Sequence, residues 1–552
     1  MKVVSIKFLC FIDAVAVISC LTLTLPLRGL SRRRRTHFVH NARPHDDGGG
    51  DLYKNNVSDP YRPPFGFYVH IPYCRRRCRY CDFAIVPIGL QTNAEDSNEG
   101  LHRNSGFREM DLLYRNALLK EIQGIKHCEV LNDHSDTGSS SRASDSAKRE
   151  GKRIELQSIY FGGGTPSLAP IETIESILRA IIASSDVEGE KTPFYLAKDA
   201  EITIEMDPGT FTLSKLERLR DLGINRISLG VQSFDDVSLA RIGRTHRLVD
   251  VLEAIEIIHQ VFGSDANYSI DIISGLPALT LAKWIETLQF ATSLRPRPCH
   301  ISIYDLQVER GTVFGRWYKE NSQTMTETTP SSSGRNNPGF RHDESAHPPL
   351  PSADDCAFMY KFAAGYLRSK NYEHYEVSSY ARNGNPSRRS RHNQVYWSTN
   401  GQWYAIGLGS TSSVRGQQIV RPRAFADYIR WVEEQNSSQW MQVTDGIQGA
   451  HPEDSLERLS DIVMKRLRTS DGLDLNWVQE NIGDDAVRSI LKGASLGLDL
   501  GLAEIVPKEF EATHTTTSVE RTLRLVDPGG LLYSNYIISE IFMELGVADD
   551  EV

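Results

Sequence analysis

Between Phe65 and Leu306, short apolar runs alternate with longer runs whose apolar residues recur every three or four positions. The short runs are "GFYVHI", "LQSIYFGGG", "EITIEM", "RISLGV", "YSIDIISG" and "HISIYDL". They are rich in β-branched residues and read as strands. Between them, "LLYRNALLKEIQGI", "IETIESILRAII", "LSKLERLRDLG", "VDVLEAIEIIHQVF" and "LAKWIETLQFATSL" read as amphipathic helices. Strands this apolar, spaced by helices, predict parallel βαβ units covered on both faces. The fold class expected is therefore α/β, a partial (β/α)6 TIM-like barrel. Such barrels gather their chemistry in the loops after the strands. A cysteine cluster, "GGGTP", Glu205, Gln232, Asp271 and Tyr304 all fall at those places.

The pattern breaks in several segments. Residues 131–153 and 321–353 are polar and rich in Ser, Thr, Pro or charge. They bury too little apolar surface to order themselves, so disordered insertions are expected, with partner-ordered binding loops as the alternative. Residues 61–320 are then the core, 354–450 a mixed extension, and 451–552 a mostly helical C-terminal domain carrying "LERLSDIVMKRLR" and "DDAVRSILKGASLGL". Residues 1–60 read as a targeting leader and linker. An apolar stretch interrupted by Lys7 and Asp13 precedes the basic block Arg32 to Arg35. That order suits import into a mitochondrion or plastid, with a membrane anchor or a non-functional leader and a cytoplasmic protein as alternatives.

Charge and cysteine usage narrow the classes. A net charge of −9 argues against nucleic-acid binding. Eight cysteines in 552 residues do not make a disulfide scaffold. Cys10 and Cys20 lie in the leader, and Cys128, Cys299 and Cys356 are scattered and read as inert thiols. Cys74, Cys78 and Cys81 stand apart, in "YVHIPYCRRRCRYCDF". Their C-x3-C-x2-C spacing lacks the second pair a structural zinc site takes. Three thiolates from one loop fit three irons of a 4Fe-4S cluster and leave the fourth iron open. A reducing compartment suits them. The surrounding arginines either offset cluster charge or form a solvated loop.

This spacing after a first strand resembles the radical S-adenosylmethionine (SAM) family. The resemblance spans most of residues 65–320 and implies that SAM occupies the open iron. It also implies binding roles for the other strand ends. Gly163, Gly164 and Thr165 in "FGGGTPS" match the family's glycine-rich motif, where bare backbone approaches the methionine group. Glu205, Gln232, Arg244 and Asp271 follow as SAM contacts, Arg244 as a two-point carboxylate clamp. Tyr68 and Tyr80 flank the cysteines and pack either on SAM or in the core. No catalytic residue is assigned.

"GGGTP", "DPGT", "LGINRISLGVQSF", "GRTHR" and "DIISGLP" together resemble the oxygen-independent coproporphyrinogen III oxidase group. Its oxidase branch continues the cluster motif to a further cysteine. Phe83 stands there in this chain, as in the HemW-type heme chaperones, the branch that includes radical SAM domain-containing protein 1 in animals. "RHNQVYW" carries the HN-x2-YW signature of that branch, and makes His392 and Tyr396 heme-contact candidates. The neighbouring "RRSR" either pairs with heme propionates or is solvated. Where the family has a histidine after this motif, Thr411 stands in "GLGSTSS". The resemblance implies heme delivery to organellar hemoproteins. Heme, a recipient apo-hemoprotein and an electron donor are the implied partners; membrane proximity through recipients and a homodimer stay open. The enzyme alternative is porphyrinogen oxidation by a 5′-deoxyadenosyl radical; a third reading is a non-catalytic iron–sulfur scaffold.

Overall fold

Strand β1 (Phe65–Ile71) is buried along its whole length, but its two faces differ. Phe65, Phe67, Val69 and Ile71 join the main apolar core, whereas Gly66, Tyr68 and His70 alternate with them and point the other way. The computed structural model describes residues 64–89, 98–125, 154–182, 194–319, 347–384, 387–414, 416–434, 452–507 and 521–547. The same division runs through β2 (Ile154–Gly163), β3 (Phe194–Met206), β4 (Arg226–Gln232), β5 (Tyr268–Ser274) and β6 (His300–Asp305). One face supplies Ile159, Phe161, Ile202, Ile204, Leu229, Ile270 and Ile301 to the core. The opposite face carries Ser158, Tyr160, Glu201, Glu205, Arg226, Ser228, Asp271 and Ser302. The strands are covered on both faces, as their apolar content predicts. The inner cover, however, is a polar lumen rather than more apolar packing.

Strands β1 to β6 are neighbours in sequence order and run parallel. Register brings the site together: Ile71 pairs with Gly163, Glu205 with Ser228, and Asp271 with Ser302. Helices α1 (Asn98–Ile125), α2 (Ile171–Ile182), α3 (Leu213–Asp221), α4 (Asp236–Ile242), α5 (Leu248–Phe262), α6 (Leu281–Ser293) and α7 (Val313–Lys319) fill the connections. Local chemistry starts several of them. Thr212 and Thr280 accept from the amides of Lys215 and Lys283 and cap α3 and α6. Asp250 reaches back to the Arg247 amide at the start of α5.

The extension adds strands to both edges of the sheet. After α8 (Ala353–Ser369), β7 (Tyr372–Glu376) and β8 (Ser379–Arg382) form a hairpin on the β6 edge. A short helix α9 (Arg391–Trp397) leads to β9 (Gln402–Ile406), which lies parallel to β1 on the other edge. Strands β10 (Thr411–Val414) and β11 (Gln417–Val420) complete an 11-stranded sheet, and α10 (Phe425–Glu434) follows.

The C-terminal unit has its own core around Leu459, Val463, Ile490, Leu523 and Ile541. Its helices are α11 (Pro452–Arg466), α12 (Leu475–Asn481), α13 (Asp484–Gly493), α14 (Ser495–Asp499), α15 (Gly529–Leu532) and α16 (Ser534–Leu545). A small antiparallel sheet of β12 (Leu473–Asp474), β13 (Ala503–Pro507) and β14 (Arg521–Leu525) adds to the helical content expected.

The leader, the insertion 131–153 and residues 320–346 lie outside the described residues. The last residues of the second expected insertion are described and packed. His347 stacks on Trp317 at 4.0 Å, and the Ala278 amide donates to Pro349 O at 2.8 Å. Among the described residues no helix is long and apolar enough to cross a membrane.

Candidate functional site

The loop bearing Cys74, Cys78 and Cys81 leaves β1 and is closed at its base by pairing of Tyr73–Cys74 with Val86–Pro87. Its arginines are engaged by backbone carbonyls. Arg75 donates to Gly209 O at 2.6 Å, Arg76 to Gly243 O at 2.7 Å and Arg79 to Arg241 O at 2.6 Å. Arg77 turns back to Phe83 O at 2.8 Å. Three arginines thus staple the loop to the chain after β3 and to the end of α4, where backbone carbonyls lack partners. The Arg79 amide and carbonyl also bond Ile242 O and the Phe314 amide, both at 2.9 Å.

The glycine motif sits against this loop. A Cβ on Gly164 would lie 2.6 Å from Pro72 O and 2.7 Å from Tyr73 O, so only glycine permits the approach. Gly163 has φ of 118° and faces the His70 ring. Thr165 Oγ1 lies 3.7 Å from Cys74 Sγ and donates to Asp207 Oδ2 at 3.1 Å. Arg244 binds Asp207, donates to Gly230 O at 3.1 Å and reaches Cys78 Sγ at 3.6 Å.

Burial pushes the Cys74 and Cys81 thiols up, Cys81 to about 11. Such thiols keep their protons until a metal displaces them. Among the described residues no three His, Cys, Asp or Glu side chains converge on a single ion. Thiolates that each hold a different iron of one cluster need not meet at a point. The donor set therefore fits a three-iron attachment.

Beyond the cysteines lie two half-buried carboxylates. Glu205 accepts from Tyr160 Oη at 2.8 Å and from the Gly163 amide at 3.1 Å. Burial outweighs these bonds and pushes it up from 4.5 to about 7. Asp271, also pushed up by burial, accepts from Ser228 Oγ at 3.0 Å, while its Oδ1 has no protein partner. Gln232 ends β4 with φ of 64°, a strained conformation for a side chain of its kind. Tyr80 packs beside a satellite core of Leu239, Ile242 and Phe314 rather than standing free at the mouth.

His392 lies deep in the structure. The residue is 2% exposed, with Nδ1 2.9 Å from Ser158 Oγ and Nε2 2.8 Å from Tyr396 Oη. Both nitrogens are engaged, so in this arrangement the imidazole presents no lone pair to heme iron. The basic run beside it is also engaged: Arg388 pairs with Asp265, Arg389 with Glu373 and Asp471, and Arg391 with Asp199. Thr411 opens β10, and its carbonyl accepts from Trp403 Nε1 at 2.8 Å.

Three residues enter the site that the sequence analysis assigns no role. Asp207 joins Thr165 to Arg244. His70 donates from Nε2 to Ala84 O at 2.8 Å, tying the far end of the cysteine loop to β1. Glu201 receives Ser390 Oγ and the amides of Arg391 and His392. The "DPGT" motif contains Asp207 and "YVHIPYC" contains His70, but nothing in local spacing marks Glu201.

The radical SAM superfamily model matches residues 68–291. The chain is 33% identical to heme chaperone HemW of Synechocystis over 88% of its length and 98% of that protein's. It is 28% identical to the mitochondrial radical S-adenosyl methionine domain-containing protein 1 of Bos taurus, over 79% of each chain. Among solved structures, coproporphyrinogen III oxidase (HemN) of Escherichia coli superposes with a TM-score of 0.57 at 18% identity, covering 88% of this chain and 90% of that one. At that identity the likeness shows the fold alone.

Proposed function

Because this chain belongs to the HemW family of radical SAM proteins, we propose that it is a heme chaperone that takes up heme and passes it to an apo-hemoprotein. The observation that carries this reading is the similarity along nearly the whole length of a HemW protein. Phe83, where the oxidase branch has a further cysteine, agrees with it.

In this reading Cys74, Cys78 and Cys81 hold a 4Fe-4S cluster, and Gly163, Gly164, Thr165, Glu205, Gln232, Arg244 and Asp271 hold SAM, with Tyr68 and Tyr80 packing around them. When bound, the cluster supplies single-electron chemistry to SAM. The chain's own residues bind and orient. Glu205 and the open oxygen of Asp271 are acceptors for hydroxyl or ammonium groups, the bare backbone at Gly163 and Gly164 admits a close ligand, and Arg244 balances negative charge at Cys78. Engagement in Asp207 leaves Arg244 as a charge-balancing group more than a free clamp.

Mitochondrial naming of the bovine and murine relatives supports an organellar site. We place the targeting signal in residues 1–60. A fluorescent fusion of that segment tests it and separates mitochondrion from plastid; diffuse cytosolic signal rejects it.

Heme titration of the anaerobically reconstituted protein, followed by transfer to an apo-cytochrome with and without SAM, tests the function. Stoichiometric heme uptake and transfer are expected. Protoporphyrinogen formed from coproporphyrinogen III in the presence of SAM and reductant would replace this reading by the oxidase.

A further inference from the structure

The HN-x2-YW segment, a heme-contact candidate by its motif, is built into the barrel. The amides of Arg391 and His392 donate to Glu201 at 3.1 and 3.2 Å, and Ser390 Oγ joins them at 3.3 Å. Arg226, 3% exposed, balances that carboxylate at 3.8 Å. The helix start is thereby pinned to β3 and β4. The His392 ring then passes into the lumen between β1 and β2. A Cβ on Gly66 would come within 3.2 Å of it, so β1 carries no side chain there.

Above His392 lies the wall of the proposed SAM site. The ring stacks on Tyr160 at 5.0 Å and 23°, and on Tyr68 at 6.3 Å and 29°. Tyr160 is the residue whose hydroxyl holds Glu205. Tyr396 reaches the same place from the other side, bonded to His392 Nε2 and packed edge-on against Trp403 at 4.7 Å. Burial pushes His392 down to about 3, so the imidazole is neutral. A neutral ring has one donor and one acceptor, and the two hydroxyls flanking it can serve either role. The ring is fully satisfied and held in one orientation.

We infer that His392 and Tyr396 are positioning residues for SAM: they form the floor that holds Tyr160, and through it Glu205, in place, rather than ligating heme iron. This rests on the SAM reading of Glu205 and the glycine motif. Without the floor, Tyr160 gains room to turn and the carboxylate loses one of its two donors. Outer-shell groups of this kind alter ligand affinity by about tenfold or more.

Tyr396→Phe, which deletes one hydroxyl, and His392→Ala are compared with the wild-type chain after anaerobic reconstitution. SAM affinity is read from the change SAM causes in the reduced cluster's electron paramagnetic resonance, heme affinity and Soret position from titration, and folding from the melting temperature. Both variants should weaken SAM on the order of tenfold and keep the wild-type Soret position and heme affinity within about twofold. Loss of heme or a shifted Soret band in His392→Ala with SAM affinity intact overturns the inference in favour of iron ligation. Wild-type affinity for both ligands in both variants also overturns it. If His392→Ala fails to fold, Tyr396→Phe decides by the same two readouts. A wild-type cluster indifferent to SAM removes the SAM reading and this inference with it; a responsive wild type with equally responsive variants removes this inference alone.

Discussion

Glu205 shows how a single half-buried carboxylate ties ligand binding to stability. Its pKa is raised from 4.5 to about 7, first by burial. The folded chain therefore holds this proton more tightly than the unfolded chain does, and stability falls as pH climbs from about 4.5 through 7. The anionic form, present above that range, is the better acceptor for a ligand ammonium or hydroxyl. Glu205→Gln is therefore expected to melt higher than wild type at pH 8, on the order of a few degrees, with the gain vanishing near pH 5. The same variant should bind SAM more weakly and lose the rise in affinity that wild type shows as pH passes about 7. Melting curves and SAM titrations at both pH values check the two halves separately. Gly164 is the steric counterpart. Gly164→Ala drives a methyl into the backbone of Pro72 and Tyr73. A cost of about 1–3 kcal/mol is expected, with the cysteine loop displaced. Iron per chain after reconstitution should fall well below the wild-type value; full iron loading would show that the loop tolerates the shift.

At the scale of elements, what was legible depended on how far a residue's partner lies along the chain. Strands β1 to β6 and their helices announce themselves by local periodicity, and so do the cysteines and the glycine motif at their ends. Strands β7 to β11 do not. "YEHYE", "QWYAI" and "TSSV" are short and mixed, and what makes them strands is long-range pairing such as Phe65 with Gln402. The burial of His392 is hidden for the same reason: its polar sequence neighbours suggest a surface loop, while Glu201, Ser158 and Gly66 enclose it. Another long-range knot holds α1 against the β9–β10 region. Glu121, fully buried, accepts from Arg421 Nε at 2.8 Å, Tyr428 Oη at 2.7 Å and the Gly407 amide at 3.1 Å. No spacing rule links residues 300 apart. Removing one partner strands the other charge, so Glu121→Ala should cost about 3–5 kcal/mol. Replacing Glu121 and Arg421 together by Gln and Met should cost less than Glu121→Ala alone. Denaturant unfolding of the variants measures the difference, and an equal loss in both would show that the ion pair is not the reason for the cost.

The whole molecule joins two cores, and the joint is chemically specific. Tyr360 on α8 packs into the C-terminal core, and its hydroxyl donates to Val377 O at 3.1 Å beside the barrel. Next to it, His374 on β7 bonds Asp527 at 2.7 Å, and Arg368 on α8 pairs with the same carboxylate. Burial pushes Asp527 up, but the hydrogen bond from His374 and the charge of Arg368 outweigh it and hold the carboxyl below its usual value. A depressed carboxyl adds stability above its unfolded value of about 3.8, and that stability is lost as pH falls through the folded value. Docking of the C-terminal unit should therefore loosen in acid before the barrel does. Asp527→Asn removes the charge while keeping the size. The amides of residues 529–545 should then exchange about 10- to 100-fold faster at neutral pH, as expected for losing a charge-assisted buried bond, while those of β1 to β6 keep their wild-type rates. Unchanged exchange at residues 529–545 would show that apolar contacts alone hold the two units together, and would remove the carboxylate from any account of how they move.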